Sequence, residues 1–288
     1  MRLGTRGSAL ALAQARWVAE RLPGDVEVVE IATTGDGDRA ARDKEKWVRE
    51  LDRALLAGEI DLAVHSAKDV PGRLAEGIAI AGVPERAPAH DALCGAASLA
   101  ELPEGAVVGT SSVRRRAQLA ARREDLVVTE LRGNVDTRLR RLADGDYAAV
   151  VLAAAGLERL GRADAIGGVL DDLVPAAGQG VLAVTARTGD AAATAAASAI
   201  ENPAARAALT AERALVVALD ADCDTPVGAH CVVNGDGRRT LTAFVGREDG
   251  AAWLRDALSV GADVAPAALG EEVARRLLAA GANEVLGR

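Results

Sequence analysis

Lysine is nearly absent from this chain of 288 residues: Lys44, Lys46 and Lys68 stand against 31 arginines. Almost every side-chain cation is therefore a planar, permanently charged fork, and each remaining lysine offers a compact ammonium instead. Aromatic residues make up only 2%. Ala, Val, Leu and Ile must fill the cores, and few platforms exist on which nucleic-acid bases could stack. A net charge of −8 and a pI near 5.1 argue further against nucleic acid as a partner. The three cysteines, Cys94, Cys223 and Cys231, form neither an even disulfide framework nor a CxxC pair. His65, His90 and His230 are scattered without metal-ligand spacing, so no metal is expected. The longest charge-free run, 173–186, is interrupted by Pro175, Gly178 and Gly180 and is too short to span a membrane. Arg6 and Gly7 break any apolar signal-peptide core. A cytoplasmic protein is expected.

What is present in quantity is apolar residue, at 50%, enough for substantial cores in two or three domains. Positive charge is concentrated in one place. Between residues 114 and 141 nine arginines face four acids, a net of +5 inside an acidic chain. The stretch GTSSVRRRAQL, beginning at Gly109, puts Thr110, Ser111 and Ser112 ahead of a helical run as N-cap hydroxyls. Arg114, Arg115 and Arg116 then occupy a first turn that ordinarily favours acids, because unpaired N–H groups already make it positive. Three arginines there predict an anion at this helix end. Asn134 is a second N-cap candidate, followed by Arg138, Arg140 and Arg141. Arg122, Arg123, Arg140 and Arg141 read as solvated helix faces. The functional case rests on Arg114, Arg115 and Arg132, which sit at element ends.

In chain order, a strand at 1–3 leads through Thr5-Arg6-Gly7-Ser8 into a helix over 9–22, with Ser8 as its N-cap and Arg6 just outside. A strand over 26–31, a turn-rich loop and a helix over 44–56 follow. The strand 60–64 delivers His65-Ser66-Ala67-Lys68-Asp69 at its C-terminal end, where open α/β sheets bind ligands. Asp69 precedes Val70-Pro71, so extended backbone is expected there. Lys68 and Asp69 read either as an exposed loop pair of little worth or as a carboxylate held where a cation forms. PERAPAH marks a crossing into a second unit with strands at 107–108, 126–129 and 147–152 and helices at 112–123 and 135–143. The apolar run 175–184 suits an inner strand of the first unit. Beyond Pro203 a helix (204–219), a turn-rich loop around Cys223, a hairpin (229–233 with 240–245), a third strand (254–260) and a last helix (269–280) read as a small α+β domain. Cys94 and Cys231 fall in apolar runs, where buried inert thiols are usual.

Seven segments in order, TRGSALALAQA, HSAKDVP, GTSSVRRRAQL, LRGNVDTRL, AAAGLERLG, PAAGQGVL and CDTPVG, closely resemble the porphobilinogen deaminase family, whose members are also called hydroxymethylbilane synthases. The resemblance implies an α/β fold with two periplasmic-binding-protein-like domains around a cleft plus a small α+β C-terminal domain. The expected division is 1–86 with 177–200, 87–176, and 203–288. It implies an enzyme that condenses four porphobilinogen molecules head to tail, releases ammonia at each step and yields hydroxymethylbilane, acting as a cytoplasmic monomer. The chain would grow on a dipyrromethane cofactor joined by a thioether to Cys223. Asp69 would stabilise the azafulvene-like cation left when ammonia departs. Lys44, Ser66, Lys68, Thr110, Ser112, Arg114, Arg115 and Arg138 would hold the cofactor; Arg6, Ser8, Arg132 and Arg159 would handle incoming substrate. Each pyrrole carries two carboxylates, which suits a protein of arginines.

Two departures from the family pattern stand out. Arg42-Asp43-Lys44-Glu45-Lys46-Trp47 replaces a glycine-rich loop that usually ends in Leu-Phe. Asp222 and Asp224 flank Cys223 where Gly and Gln are usual, and flanking acids raise a thiol's pKa. Attachment at Cys223 is therefore expected to depend on an electrophile held close rather than on an activated thiolate. A bilobal polycarboxylate-binding protein without catalysis is the alternative that the same arginines would serve.

Overall fold

Short runs of Val, Leu and Ile alternate with amphipathic stretches up to about residue 200, and the chain folds as that rhythm requires. The structure is a computed structural model describing residues 1–32, 45–222 and 224–288, with backbone alone at 45–47. Lys44 and Cys223 thus lie outside the described residues. Two units form, 1–87 with 181–206 and 88–180 with 207–288.

The first stretch builds β1 (Arg2–Thr5), α1 (Ala9–Ala19), β2 (Glu27–Glu30), α2 (Glu45–Leu56), β3 (Leu62–Ser66) and β4 (Ile78–Gly82). Next come β5 (Asp91–Cys94), β6 (Val107–Gly109), α3 (Val113–Arg122), β7 (Val127–Thr129), α4 (Val135–Ala143), β8 (Ala149–Ala153), α5 (Ala154–Arg159) and β9 (Gly168–Leu170). The remainder forms β10 (Leu182–Arg187), α6 (Ala191–Ser198), α7 (Pro203–Ala218), β11 (Val227–Val233), β12 (Arg239–Gly246), β13 (Trp253–Val260), α8 (Pro266–Ala279) and α9 (Ala282–Val285).

Two five-stranded sheets share one plan. Their orders are β2-β1-β3-β10-β4 and β7-β6-β8-β5-β9. In each, three parallel strands are followed by an antiparallel strand, β10 or β5, and then an edge strand that runs antiparallel to it. Both faces are covered, so strand residues alternate between two cores. Leu62 and Val64 of β3 pack with Ala15 and Val18 of α1, whereas Ala63 packs with Leu51 and Leu55 of α2. Likewise Ala149 and Val151 of β8 meet Leu119 of α3, and Val150 and Leu152 meet Leu139 of α4 and Leu157 of α5. The third sheet, β11-β12-β13, is antiparallel, and its buried face packs on Leu215 of α7 and Leu269, Val273 and Leu277 of α8.

Some expectations shift. The strand expected at 60–64 runs instead from Leu62 to Ser66, because pairing with β10 carries the ladder through His65 to Ser66, while Asp61 Oδ2 just before it accepts the Arg2 N–H at 2.7 Å. Residues 67–69 form one 3-10 turn rather than extended chain, and only Val70, with φ −81° and ψ 126°, takes the conformation that Pro71 imposes. Helix α6 was not anticipated, since AAATAAAS carries no periodic contrast. The apolar run after Gly180 becomes β10, between β3 and β4.

Candidate functional site

In the first sheet β1 and β3 are adjacent and parallel, pairing Leu3 with Leu62 and Gly4 with Ala63, so their C-terminal ends lie side by side. Ser8, just past β1, caps α1 by accepting the Ala11 N–H at 3.3 Å. Ser66, at the end of β3, accepts a 2.9 Å hydrogen bond from Gln14 Nε2 and so ties α1 to the neighbouring strand end. Arg6, Ser8, Ser66, Lys68 and Asp69 are all half-buried at this end. Behind them His65 is buried, with Nε2 3.1 Å from Thr185 Oγ1 of β10. Burial pushes its pKa down to about 4; the Arg6 cation adds to that shift and the Asp69 carboxylate opposes it. Both charges therefore bear on one imidazole that the structure keeps neutral.

In the second sheet β7, β6 and β8 are parallel neighbours, and the segments that follow them supply the arginines. Thr110 is buried, and its Oγ1 accepts the Ser112 N–H at 3.2 Å; Ser112 caps α3 by accepting the Arg115 N–H at 3.4 Å. The anion foreseen for the first turn of α3 turns out, for two of the three arginines, to be the protein's own Asp91. Arg114 donates to both Asp91 oxygens at 2.8 and 3.2 Å, and Arg115 donates to Oδ1 through Nε at 2.9 Å and Nη2 at 2.7 Å. Burial alone would raise the Asp91 carboxyl, but the two guanidinium groups hold it well below the usual carboxylate range. The third arginine, Arg116, pairs with Glu248 at 2.9 Å.

Arg138 and Arg159 behave differently. Arg138, on α4, donates to Gly133 O at 2.8 Å and Ser111 Oγ at 3.1 Å, and Arg159 donates to Gly180 O at 2.8 Å. Among the described residues neither makes an ion pair. Burial, with Arg115 nearby, pushes the Arg138 pKa down to about 10, and burial pushes Arg159 down to about 10 despite Glu158. Half-buried cations outside any ion pair suit an anionic ligand. Arg132 is exposed and paired with Glu130 at 2.9 Å. On either side of the expected attachment point, Asp222 Oδ1 accepts from Thr225 Oγ1 at 2.6 Å and from the Asp224 N–H at 3.0 Å. A hollow of roughly 550 Å3 is lined by Asp224, Glu248, Asp249 and Glu284 with Arg247. Its charge has the wrong sign for a carboxylate ligand.

Three buried polar residues went unnoticed in the sequence. Asp91 opens β5; Gln179 donates to Ala89 O at 2.6 Å and Asp91 Oδ1 at 2.8 Å; Glu212, on α7, accepts the N–H groups of Gly178 and Cys231, each at 2.7 Å. Glu212 had a visible signal, since it falls on the same face as Ala208, Leu215 and Leu219, where an acid must be satisfied internally. The donors at the second sheet also fit a group bearing several carboxylates: Arg114 Nε is buried with no partner among the described residues, and Arg138 and Arg159 add two further forks.

Fold and site together define an α/β protein with two five-stranded sheets of one plan and a cluster of arginine donors at the second. Family comparison narrows this. Residues 1–195 match the porphobilinogen deaminase, dipyromethane cofactor binding domain, and 207–279 match the porphobilinogen deaminase C-terminal domain. Porphobilinogen deaminase of Deinococcus radiodurans is 47% identical, covering 99% of this chain and 97% of the relative. That of Thermus thermophilus is 45% identical, covering 99% and 98%. Among solved structures, the VFT2 domain of Bordetella pertussis BvgS matches at 16% identity and a TM-score of 0.40, over 69% of this chain and 86% of that one. The chain belongs to the porphobilinogen deaminase family.

Proposed function

We propose that this chain condenses four porphobilinogen molecules head to tail into hydroxymethylbilane, on a dipyrromethane cofactor carried by Cys223, in the cytoplasm and as a monomer. Family membership sets the reaction and disfavours the binding-only alternative. The observation that supports the residue roles is the pair of half-buried arginines, Arg138 and Arg159, neither of which makes an ion pair among the described residues.

The bound cofactor supplies a nucleophilic pyrrole α-carbon. In each cycle the substrate's aminomethyl C–N bond breaks, ammonia leaves with the electron pair, and the ring nitrogen lends its own pair to the exocyclic carbon. Asp69 accepts the pyrrole N–H hydrogen bond and steadies the positive charge that develops there. A cofactor ring held there would supply the attacking α-carbon and give up its α-proton on coupling, which balances the proton taken up by ammonia. In this reading Asp69 relays it. Lys68, Arg114, Arg115 and Arg138, with Lys44, Ser66, Thr110 and Ser112, hold cofactor carboxylates. Arg6, Ser8, Arg132 and Arg159 receive the incoming monomer. The three-part division at about 87, 177 and 203 assigns the cofactor loop to its own domain.

Intact mass of the purified protein, before and after Cys223→Ser, tests attachment. The added pyrrole mass is expected to vanish with the thiol; an adduct that persists refutes Cys223. In parallel, Asp69→Ala should cut turnover by roughly a thousandfold while the adduct and the urea midpoint remain. Substantial retained activity removes Asp69 from the chemistry.

A further inference from the structure

Asp91 has no part in the chemistry above, yet two distant segments converge on it. It opens β5 at 0% exposure, and its two oxygens accept the four guanidinium hydrogen bonds from α3 together with one from Gln179. Backbone carbonyls fix the arginines further: Arg114 Nη1, which also meets Asp91, donates to Val174 O at 2.7 Å, and Arg115 Nη1 donates to Val151 O at 2.9 Å. A carboxylate and two backbone carbonyls therefore leave both planes little freedom. Gln179 lies in the turn whose next residue, Gly180, takes the hydrogen bond from Arg159. Glu212 holds the same turn from behind through the Gly178 N–H. One carboxylate thus sits at the junction between Arg114 and Arg115 on one side and the anchorage of Arg159 on the other.

We propose that Asp91 is a positioning residue, which sets the orientation of Arg114 and Arg115 and, through Gln179, registers them against Arg159. This rests on the reading that those arginines bind pyrrole carboxylates. Grips for cofactor and monomer must hold a fixed separation if the reacting carbons are to meet, because misplacement by about an ångström costs on the order of a hundredfold in rate. A single internal carboxylate shared by two guanidinium groups provides that register and leaves the cluster one positive charge in excess for the ligand.

The test uses Asp91→Asn and, as a milder change that keeps the ion pairs, Gln179→Met. Two quantities are read: the fraction of purified protein carrying the pyrrole adduct, by intact mass, and porphobilinogen affinity in the Cys223→Ser background, by calorimetry. Asp91→Asn should lower the adduct fraction at least about fivefold and the affinity about tenfold; Gln179→Met should weaken affinity about threefold. A positioning role requires that these losses largely disappear when Arg115→Met or Arg159→Met is already present. Should Asp91→Asn fail to fold, Gln179→Met carries the same criterion. If Arg115→Met and Arg159→Met leave affinity unchanged, the reading of the arginines fails and this inference falls with it. If those changes weaken binding while the Asp91 and Gln179 variants bind normally, or their losses simply add, the inference alone is overturned.

Discussion

Individual side chains in this protein show how burial turns charge into a requirement. Arg138 is held half-buried beside Arg115, with no described acid in reach, and its pKa falls to about 10. Such a cation opposes folding until a ligand carboxylate arrives. Arg138→Gln should therefore leave the urea midpoint of cofactor-free protein unchanged or raised, while the fraction of protein carrying the pyrrole adduct falls about fivefold; a lowered midpoint with a normal adduct fraction would make it structural. His65 gives the pH signature. Its pKa falls from 6.5 to about 4 on folding, so above pH 6.5 both states are neutral and nothing is lost. As pH drops from 6.5 towards 4 the unfolded chain takes up a proton that the native state refuses, and stability declines by up to about 3 kcal/mol. Asp91 acts in a separate window: its depressed pKa stabilises the native state above the ordinary carboxylate range, and that support fades only as pH falls below about 4. Urea titrations at pH 7 and 4.5 should show the first loss in the parent protein and a much smaller one in His65→Gln.

Helix starts carry most of what could be read ahead of the fold. Ser8, Ser112 and Asn134 were expected as caps, and each accepts an N–H three residues on. Asn134→Ala should cost about 1 kcal/mol by loosening the first turn of α4, measurable by urea denaturation, with activity falling because Arg138 rides on the next turn. The strands flanking these caps were legible too, since hydroxyl and arginine together mark where a strand ends and a helix begins. Other features were hidden for physical reasons. The all-alanine face of α6 offers no contrast between inside and outside. Asp91 looks like any acid at a strand border, and only three-dimensional convergence reveals its partners. Element type was readable from periodicity; which charge meets which is decided by segments far apart in sequence, as the separation of Asp91 from Gln179 shows.

Across the chain as a whole, an arginine-rich, nearly aromatic-free composition still closes its cores by bringing backbones close together. Gly270 of α8 illustrates this: a Cβ there would lie 2.2 Å from Ala211 O and 2.9 Å from Leu215 N on α7. Gly270→Val should lower unfolding free energy by about 1–3 kcal/mol or more, seen as an earlier thermal transition, with the adduct still present in whatever protein folds. The resemblance to the deaminase family was readable from seven segments, and the two like-ordered sheets agree with the α/β fold it implies. Strand β10 has a consequence for biosynthesis. It pairs with β3 and β4 only after every strand of the other five-stranded sheet has left the ribosome. The amino-terminal half of the nascent chain must wait with an open seam between β3 and β4, while the later-made sheet, contiguous from 91 to 170, can finish first. What is translated first is thus completed second.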